Sequence, residues 1–485
     1  MFKRFISVFC MFFGILTAAH AGPAANVEYI HNAVREKWGI ELTTSANPRT
    51  IANMEYLLAA VDVVNEQLNG YKSSDYVNNK SYATRQVVDI DAVNTAVSDL
   101  VSEEWSFSYE FEYTQGRVMP GMTITAHGTF YVDWGDGTGI HVISGPGNYA
   151  PEAPYSTSGT YTVRMSGRAT AYQDGASAIT FCKGSTYYRK IMNNIRGSIS
   201  KMFPTLPDGT NPNFSGIFQD CALTKSLTLS DTLFAGLYGQ ASDYMFANAF
   251  AFYPQNCSVS IGAVFKNVDL IPSPYMFNGA FMGQGQFYIL NEDLFAGIRG
   301  IPTEGLFKET FAPGVQGTVF KKLFAGISGT PAAYMFEGTF QSSSIRVIED
   351  GAFSTIYGPP AEGMFKNTFK QSSILTTVPE NLFAGISGLP AKDMFYGTFY
   401  MCYNLQTNPE NLFGNILGTA MDGMFVQTFL DNYSLIGSSA KIGGKYLYEI
   451  WPDATREQVG YCYGSGRYGG PTKLTDYSDI PSTWK

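Results

Sequence analysis

Charge, histidine and closely spaced cysteine are all scarce in this chain, and each shortage removes a class of function. Only 15% of its 485 residues are charged and the formal balance is −9, so a nucleic-acid backbone would find no basic surface to meet. Histidine occurs as His20, His31, His127 and His141 alone, with none beyond residue 200. A Ser–His–acid arrangement would have to be built from these few, and no G-x-S-x-G elbow accompanies them. No G-x-x-x-x-G-K-[ST] phosphate loop is present, so no nucleotide cofactor is expected, nor any other cofactor. Past the first 21 residues no run of 18 uninterrupted apolar residues occurs, which leaves no candidate membrane helix. Five cysteines lie outside that start: Cys182, Cys221, Cys257, Cys402 and Cys462. They are dispersed, without a C-x-x-C pair or neighbouring histidines. Neither a disulfide framework nor a zinc site is expected, and the thiols read as small buried apolar groups.

What the chain has in abundance is glycine and aromatics: 50 Gly, 36 Phe and 31 Tyr. Many aromatics among many turn residues point to a short unit repeated often. Residues 1–21 carry the pattern of a secretory signal peptide. Lys3 and Arg4 precede an apolar stretch from Phe5 to Ala18, and Ala19-His20-Ala21 forms an A-x-A cleavage site. The protein is therefore expected to be exported, either released or held at the cell surface or in the periplasm.

Residues 22–104 read as helical. Asn47-Pro48 is a cap and first-turn pair, and Ile51, Met54, Leu57, Leu58, Val61, Val64 and Leu68 follow at three- and four-residue steps. From 105 to 181 the period changes to two, as in Phe107, Tyr109, Phe111 and Tyr113, which predicts a small β-sandwich-like module. At its centre Asp133-Trp134-Gly135-Asp136-Gly137 forms a tight structural turn. Its glycines supply left-handed positions, Trp134 plugs the core, and the carboxylates bond local N–H groups. Two carboxylates are too few for a calcium cage, so no metal is expected there. The W-G-D-G turn, with Gly159-Thr160-Tyr161-Thr162-Val163 after it, resembles the polycystic-kidney-disease (PKD) type of immunoglobulin-like domain. Residues 182–202 read as a linker.

The repeat occupies 203–439. Phenylalanines four apart recur as Phe246/Phe250, Phe277/Phe281, Phe307/Phe311, Phe336/Phe340, Phe365/Phe369, Phe395/Phe399 and Phe425/Phe429. A second series, Phe234, Phe265, Phe295, Phe324, Phe353, Phe383 and Phe413, has the same spacings of 31, 30, 29, 29, 30 and 30. Phe203 with Phe214/Phe218 is a degenerate eighth copy. Pro390 and its equivalents are expected to start a short helix that carries each Phe pair on one face, followed by a strand such as Ile345–Ile348. Such a unit cannot bury three rings alone, so stacking into a solenoid follows. A propeller blade needs four strands, for which about 30 residues with two helical signals have no room.

The runs Phe218-x-x-Cys221-x-Leu223 and Phe399-x-x-Cys402-x-x-Leu405, with Ser343 and Ser372 in the Cys place of other copies, resemble the BspA-like leucine-rich repeats of bacterial surface proteins. That resemblance implies a secreted or surface adhesion protein, non-catalytic, with a protein or glycan partner of host origin. An accessory part of a secreted enzyme system and a purely structural envelope component remain alternatives. The glycine- and tyrosine-rich segment 440–485 reads as a capping tail, with carbohydrate stacking as the other reading. Outward strand positions Arg346, Thr376 and Gln406 differ between copies and are the expected ligand-binding face. The repeat region 203–435 holds 18 acidic and 10 basic residues, so charge alone would not hold a strongly anionic ligand.

Overall fold

The computed structural model describes residues 105–115, 119–182, 190–283, 286–289, 291–407, 409–465 and 472–485. The signal peptide and the helical region expected over 22–104 lie outside the described residues. What is described is mostly β, with very little helix.

Strands β1 (Phe107–Tyr113), β2 (Met122–Asp133), β3 (Ile140–Tyr149), β4 (Gly159–Ala171), β5 (Ile179–Thr180), β6 (Ile191–Gly197) and β7 (Ala222–Leu223) form one sheet. A later pair, Tyr253–Pro254 (β10), extends it, giving the order β10-β7-β6-β1-β4-β2-β3 with β5 beside β2. The small sandwich expected over 105–181 is thus one continuous sheet. Period two fixes which face each residue takes, but it cannot say whether the strands share a sheet. Residues 182–202, expected as a linker, contribute β6, which pairs with β1 and touches β7.

The buried face of this sheet runs directly into the repeats. Phe181 stacks on Phe218 at 5.5 Å, and Phe130 on Phe203 at 5.1 Å. From there three columns of rings run the length of the solenoid. One climbs through Phe214, Phe246, Phe277, Phe307, Phe336, Phe365, Phe395 and Phe425, each ring nearly parallel to the next at 5.3–6.0 Å. The second member of each pair forms another column from Phe218 to Phe429. The earlier Phe series forms the third and meets the first edge-on, as Phe353 does Phe365 at 5.3 Å and 76°. The degenerate copy at Phe203, Phe214 and Phe218 belongs to the same array.

The coils present a bridge face and a turn face, and five of them also present a strand face. Strands β8 (Leu227–Leu229), β11 (Ser258–Ile261), β13 (Gln286–Ile289), β14 (Val315–Val319) and β15 (Ser344–Ile348) form a five-stranded parallel sheet. A second ladder starts with β9 (Tyr238–Gln240) and β12 (Asp269–Ile271) and continues as single bridges, such as Gly329 to Ile356 and Gly388 to Ile416. The coils are therefore those of a β-solenoid.

The turn face carries the Phe pairs, and here the expected helix is absent. In the coil of Phe365, alternate N–H groups of Phe365, Asn367 and Phe369 donate to the next coil, at Met394, Tyr396 and Thr398. Those between them, Lys366, Thr368 and Lys370, donate three residues back within the coil. Gly363, Asn367 and Gln371 have φ of 58°, 55° and 61°, so every fourth residue is left-handed. An α-helix cannot contain that conformation at each turn. The spacing of four puts both rings on one side in a ribbon of tandem tight turns as well as in a helix. Sequence period alone does not separate the two.

The ribbon leaves each first-Phe carbonyl short of a donor from the next coil. A buried threonine supplies it: Thr339 Oγ1 donates to Phe307 O, Thr368 to Phe336 O, Thr398 to Phe365 O and Thr428 to Phe395 O, at 2.8–3.0 Å. Thr398→Val keeps the shape and removes that donor. We expect it to cost about 1 kcal/mol of stability by chemical denaturation, since the Phe365 carbonyl loses one of its two donors and keeps the Thr368 N–H. An unchanged midpoint would mean that the hydroxyl ladder contributes nothing to cohesion.

At the far end Ile436–Gly437 (β16) pairs with Lys473–Leu474 (β19). Between them lie the hairpin of Lys441–Ile442 (β17) and Lys445–Tyr446 (β18), and helices Leu447–Ile450 (α1) and Arg456–Val459 (α2). Tyr463 stacks on Phe429 at 5.3 Å, while Trp451 and Trp484 lie 5.7 and 6.3 Å from Phe425. The last rings of the columns are covered by these side chains. No helix among the described residues is long and apolar enough to cross a membrane.

Candidate functional site

A parallel strand buries alternate side chains and presents the others. In the solenoid sheet Val259, Phe287, Val315 and Ile345 point inward, fully buried. The register places Thr228, Ser260, Tyr288, Gln316 and Ser344 on successive rungs of the outward row. All five are neutral and able to donate and accept hydrogen bonds. Thr228 is exposed and the others are half-buried. Within the fold none of the five side chains is used in a hydrogen bond to a described residue.

Of the three residues expected on the binding face, Arg346 lies in β15, exposed. Gly317 faces Ile345 and Thr318 faces Val347, so Arg346 is the unopposed residue of a bulge. Such a residue is pushed outward from the ladder. Thr376 and Gln406 are exposed on adjacent coils, with Gln406 N–H donating to Thr376 O at 2.8 Å. The longer polar row at Thr228 to Ser344 was not singled out from sequence. Its signal was a neutral polar residue flanked by apolar ones, as in Leu227-Thr228-Leu229 and Val259-Ser260-Ile261.

The row begins at a cleft of about 310 Å³ lined by Asn194, Ile195, Arg196 and Gly197 of β6 and by Ser226, Leu227, Thr228 and Ser230 around β8. The cleft exists because two sheets end side by side without pairing. The buried Asn193 side chain accepts the N–H groups of Thr224 and Lys225 and donates to Glu112 and Thr224, which turns the chain away from β6 after β7. Lys225 Nζ pairs with Glu110 at 2.8 Å, and this contact, with Asn194, holds the Glu110 carboxyl below its usual range. Arg196 is exposed at the cleft and has no ion pair with a described residue.

Several charges on the coils are paired across adjacent coils, and an acidic excess remains. Lys266–Asp293, Lys308–Glu337, Lys322–Glu292, Lys366–Asp393, Lys392–Glu362 and Lys441–Glu410 each join adjacent coils at 2.6–3.0 Å. Such partly exposed pairs contribute little energy individually.

The turn at Asp133–Gly137 is built from local bonds. Asp133 Oδ1 accepts from Gly135 N–H at 2.8 Å and its Oδ2 pairs with Arg164 at 2.9 Å. Gly135 and Gly137 have φ of 73° and 84°, Trp134 is buried, and the Tyr155 hydroxyl donates to its carbonyl. Asp136 accepts both the N–H and the hydroxyl of Thr138. The same hydroxyl lies 2.7 Å from His141 Nε2. Because it donates to the carboxylate, it accepts from the imidazole, so this contact braces the turn and gives the hydroxyl no base.

Cysteine chemistry departs from expectation at one place. Cys182 and Cys221 form a disulfide, their Cα atoms 5.2 Å apart, although 39 residues separate them in sequence. They come together because Cys182 follows β5 and Cys221 precedes β7 in one folded sheet, a juxtaposition that dispersed spacing conceals. Cys257, Cys402 and Cys462 are free and buried. Burial pushes the Cys402 thiol up to about 12 and raises Cys462 as well, so neither offers a thiolate near neutral pH. Comparison with protein-family models, curated proteins and solved structures finds no match to this chain.

Proposed function

We propose that this chain is an exported bacterial repeat protein that binds a protein or glycan ligand on the strand face of its solenoid and performs no reaction itself. The observation that carries the reading is the outward row of neutral polar side chains, which make no hydrogen bond to a described residue. Export rests on the pattern at 1–21. A surface or secreted adhesion role rests on the resemblance of the repeats to BspA-like units and of the W-G-D-G turn to PKD-type modules. On this reading the sheet of β1 to β6 and the tail at 440–485 close the two ends of the ring columns, as terminal elements of solenoids do.

The test is an array of glycans and extracellular-matrix proteins probed with the purified chain. With a bound component in hand, Arg346→Glu, Thr376→Trp and Gln406→Trp are expected to lower affinity about tenfold together, at an unchanged melting temperature, which is about 1.4 kcal/mol of binding energy. Retained affinity in that triple variant, with loss in Tyr461→Ala, would make the solenoid a spacer and the tail the binding element.

A further inference from the structure

The strand face also indicates the chemistry of its ligand. We infer that it takes a neutral, extended glycan running across the coils, with one end seated in the cleft between β6 and β8. The inference rests on the strand-face reading above and narrows it.

Four observations support it. First, Thr228, Ser260, Tyr288, Gln316 and Ser344 follow one another rung by rung in register. Neighbouring strands stand about 4.8 Å apart, close to the length of one pyranose unit, so a sugar chain crossing the strands meets one polar side chain per residue. Second, the row alternates nothing and charges nothing: three hydroxyls, an amide and a phenol, each able to give and take a hydrogen bond, complement a chain of hydroxyls. Tyr288 sits mid-row and offers a ring face for the C–H side of a sugar, the amphipathic use to which tyrosine is suited.

Third, the inner strands β11, β13 and β14 have their main-chain groups engaged on both sides in the parallel ladder. A peptide lying across these inner strands finds no free edge to extend; the unpaired edge of β8 borders the cleft, and the peptide arm of the experiment below probes it. Fourth, the row ends in a concave site. Its cleft of about 310 Å³ has polar walls of Asn194, Arg196, Ser226, Thr228 and Ser230 beside the apolar Ile195 and Leu227. That volume falls at the small end of ligand sites, which run from about 300 Å³ upward, and suits a single sugar ring rather than a large group. In it Arg196 donates to ring and hydroxyl oxygens.

The experiment is isothermal titration of the full chain with neutral β-linked oligosaccharides of two to six units, their uronate counterparts, and an unstructured peptide of similar length. Affinity for a neutral series is expected to rise with length up to about five units, one for each rung of the row. It should change less than about twofold when salt is raised from 50 to 500 mM. Tyr288→Ala, Gln316→Ala and Arg196→Gln should each weaken it about fivefold or more, with melts recorded on every variant and Ser260→Ala as the least disruptive check. Binding confined to the uronates and lost in salt would overturn neutrality. Binding of the peptide alone, or of an array protein sensitive to Arg346→Glu but not to Tyr288→Ala, would overturn the glycan while leaving the strand face as the binding surface. Saccharide binding insensitive to every strand-face variant would overturn both.

Discussion

Phe365→Asp is expected to cost more stability than any other single change in the repeats. The ring is fully buried and lies between Phe336 at 5.3 Å and Phe395 at 5.7 Å, with Phe353 and Phe383 against it at 5.3 and 4.5 Å. Truncating such a ring to alanine costs about 3–5 kcal/mol in a core that collapses poorly. A carboxylate adds the penalty of a buried polar group without a partner. In a solenoid each coil touches only its neighbours, so the damage is local. Limited proteolysis should open cleavage between about residues 336 and 400, while the sheet at 105–181 stays protected, and the thermal melt should fall or split. A single unshifted transition with the parental cleavage pattern would mean that this ring is not in the core.

The second large effect concerns a rule that spans two coils. The left-handed residue between the two phenylalanines is Gly216, Asn248, Gly279, Glu309, Gly338, Asn367, Gly397 and Gln427 in successive coils, all with φ between 52° and 65°. Glycine and a larger residue alternate without a break. A Cβ placed on Gly279 would strike Asn248 Oδ1, one on Gly397 would strike Asn367 Oδ1, and one on Gly338 would press on Glu309 Cγ at 3.2 Å. Each larger side chain therefore leans over the next coil and needs glycine beneath it. Gly397→Ala should cost about 2 kcal/mol or more, combining the left-handed penalty of about 1–2 kcal/mol with the clash. Asn367→Ala in the same chain should restore the part due to the clash. A coupling of about 1 kcal/mol in the double-mutant cycle is the expected result, read by denaturant titration. Strict additivity would show that Asn367 does not occupy the space above Gly397.

The repeat period and the identity of the core rings were legible because both rest on burial, and burial leaves a pattern in residue type. The secondary structure of the Phe-pair segment was not. A helix and a chain of tandem turns both return to one face after four residues, so Phe365 and Phe369 look alike in either. The distinguishing mark was present as the glycine of Phe395-x-Gly397-x-Phe399 and its partner Asn367, residues that favour left-handed backbone. Glu309 and Gln427 at the same position conceal it, since both are good helix formers. The disulfide of Cys182 with Cys221 and the place of β6 depend on strand order, which no local pattern encodes. The cleft depends on Asn193 intercepting two backbone N–H groups, a role that an asparagine in a strand does not advertise. Arg346, Thr376 and Gln406 stood out because they sit where copies differ, but of the three expected strand positions only Arg346 lies in a strand. The row from Thr228 to Ser344 was overlooked because its members share a chemistry instead.

The alternation of glycine with a larger residue also constrains how such a protein can change length. Unequal exchange between two copies one coil apart would delete about 30 residues and keep every ring in register, so the phenylalanine columns would tolerate it. It would nonetheless set glycine against glycine at the join, or Asn367 against Gln427, and so break the alternation at this position. Exchange two coils apart preserves the sequence of partners. At this position the structural period is therefore the pair of coils, about 60 residues, although the visible repeat is half that. Length variants of this chain should differ by even numbers of coils.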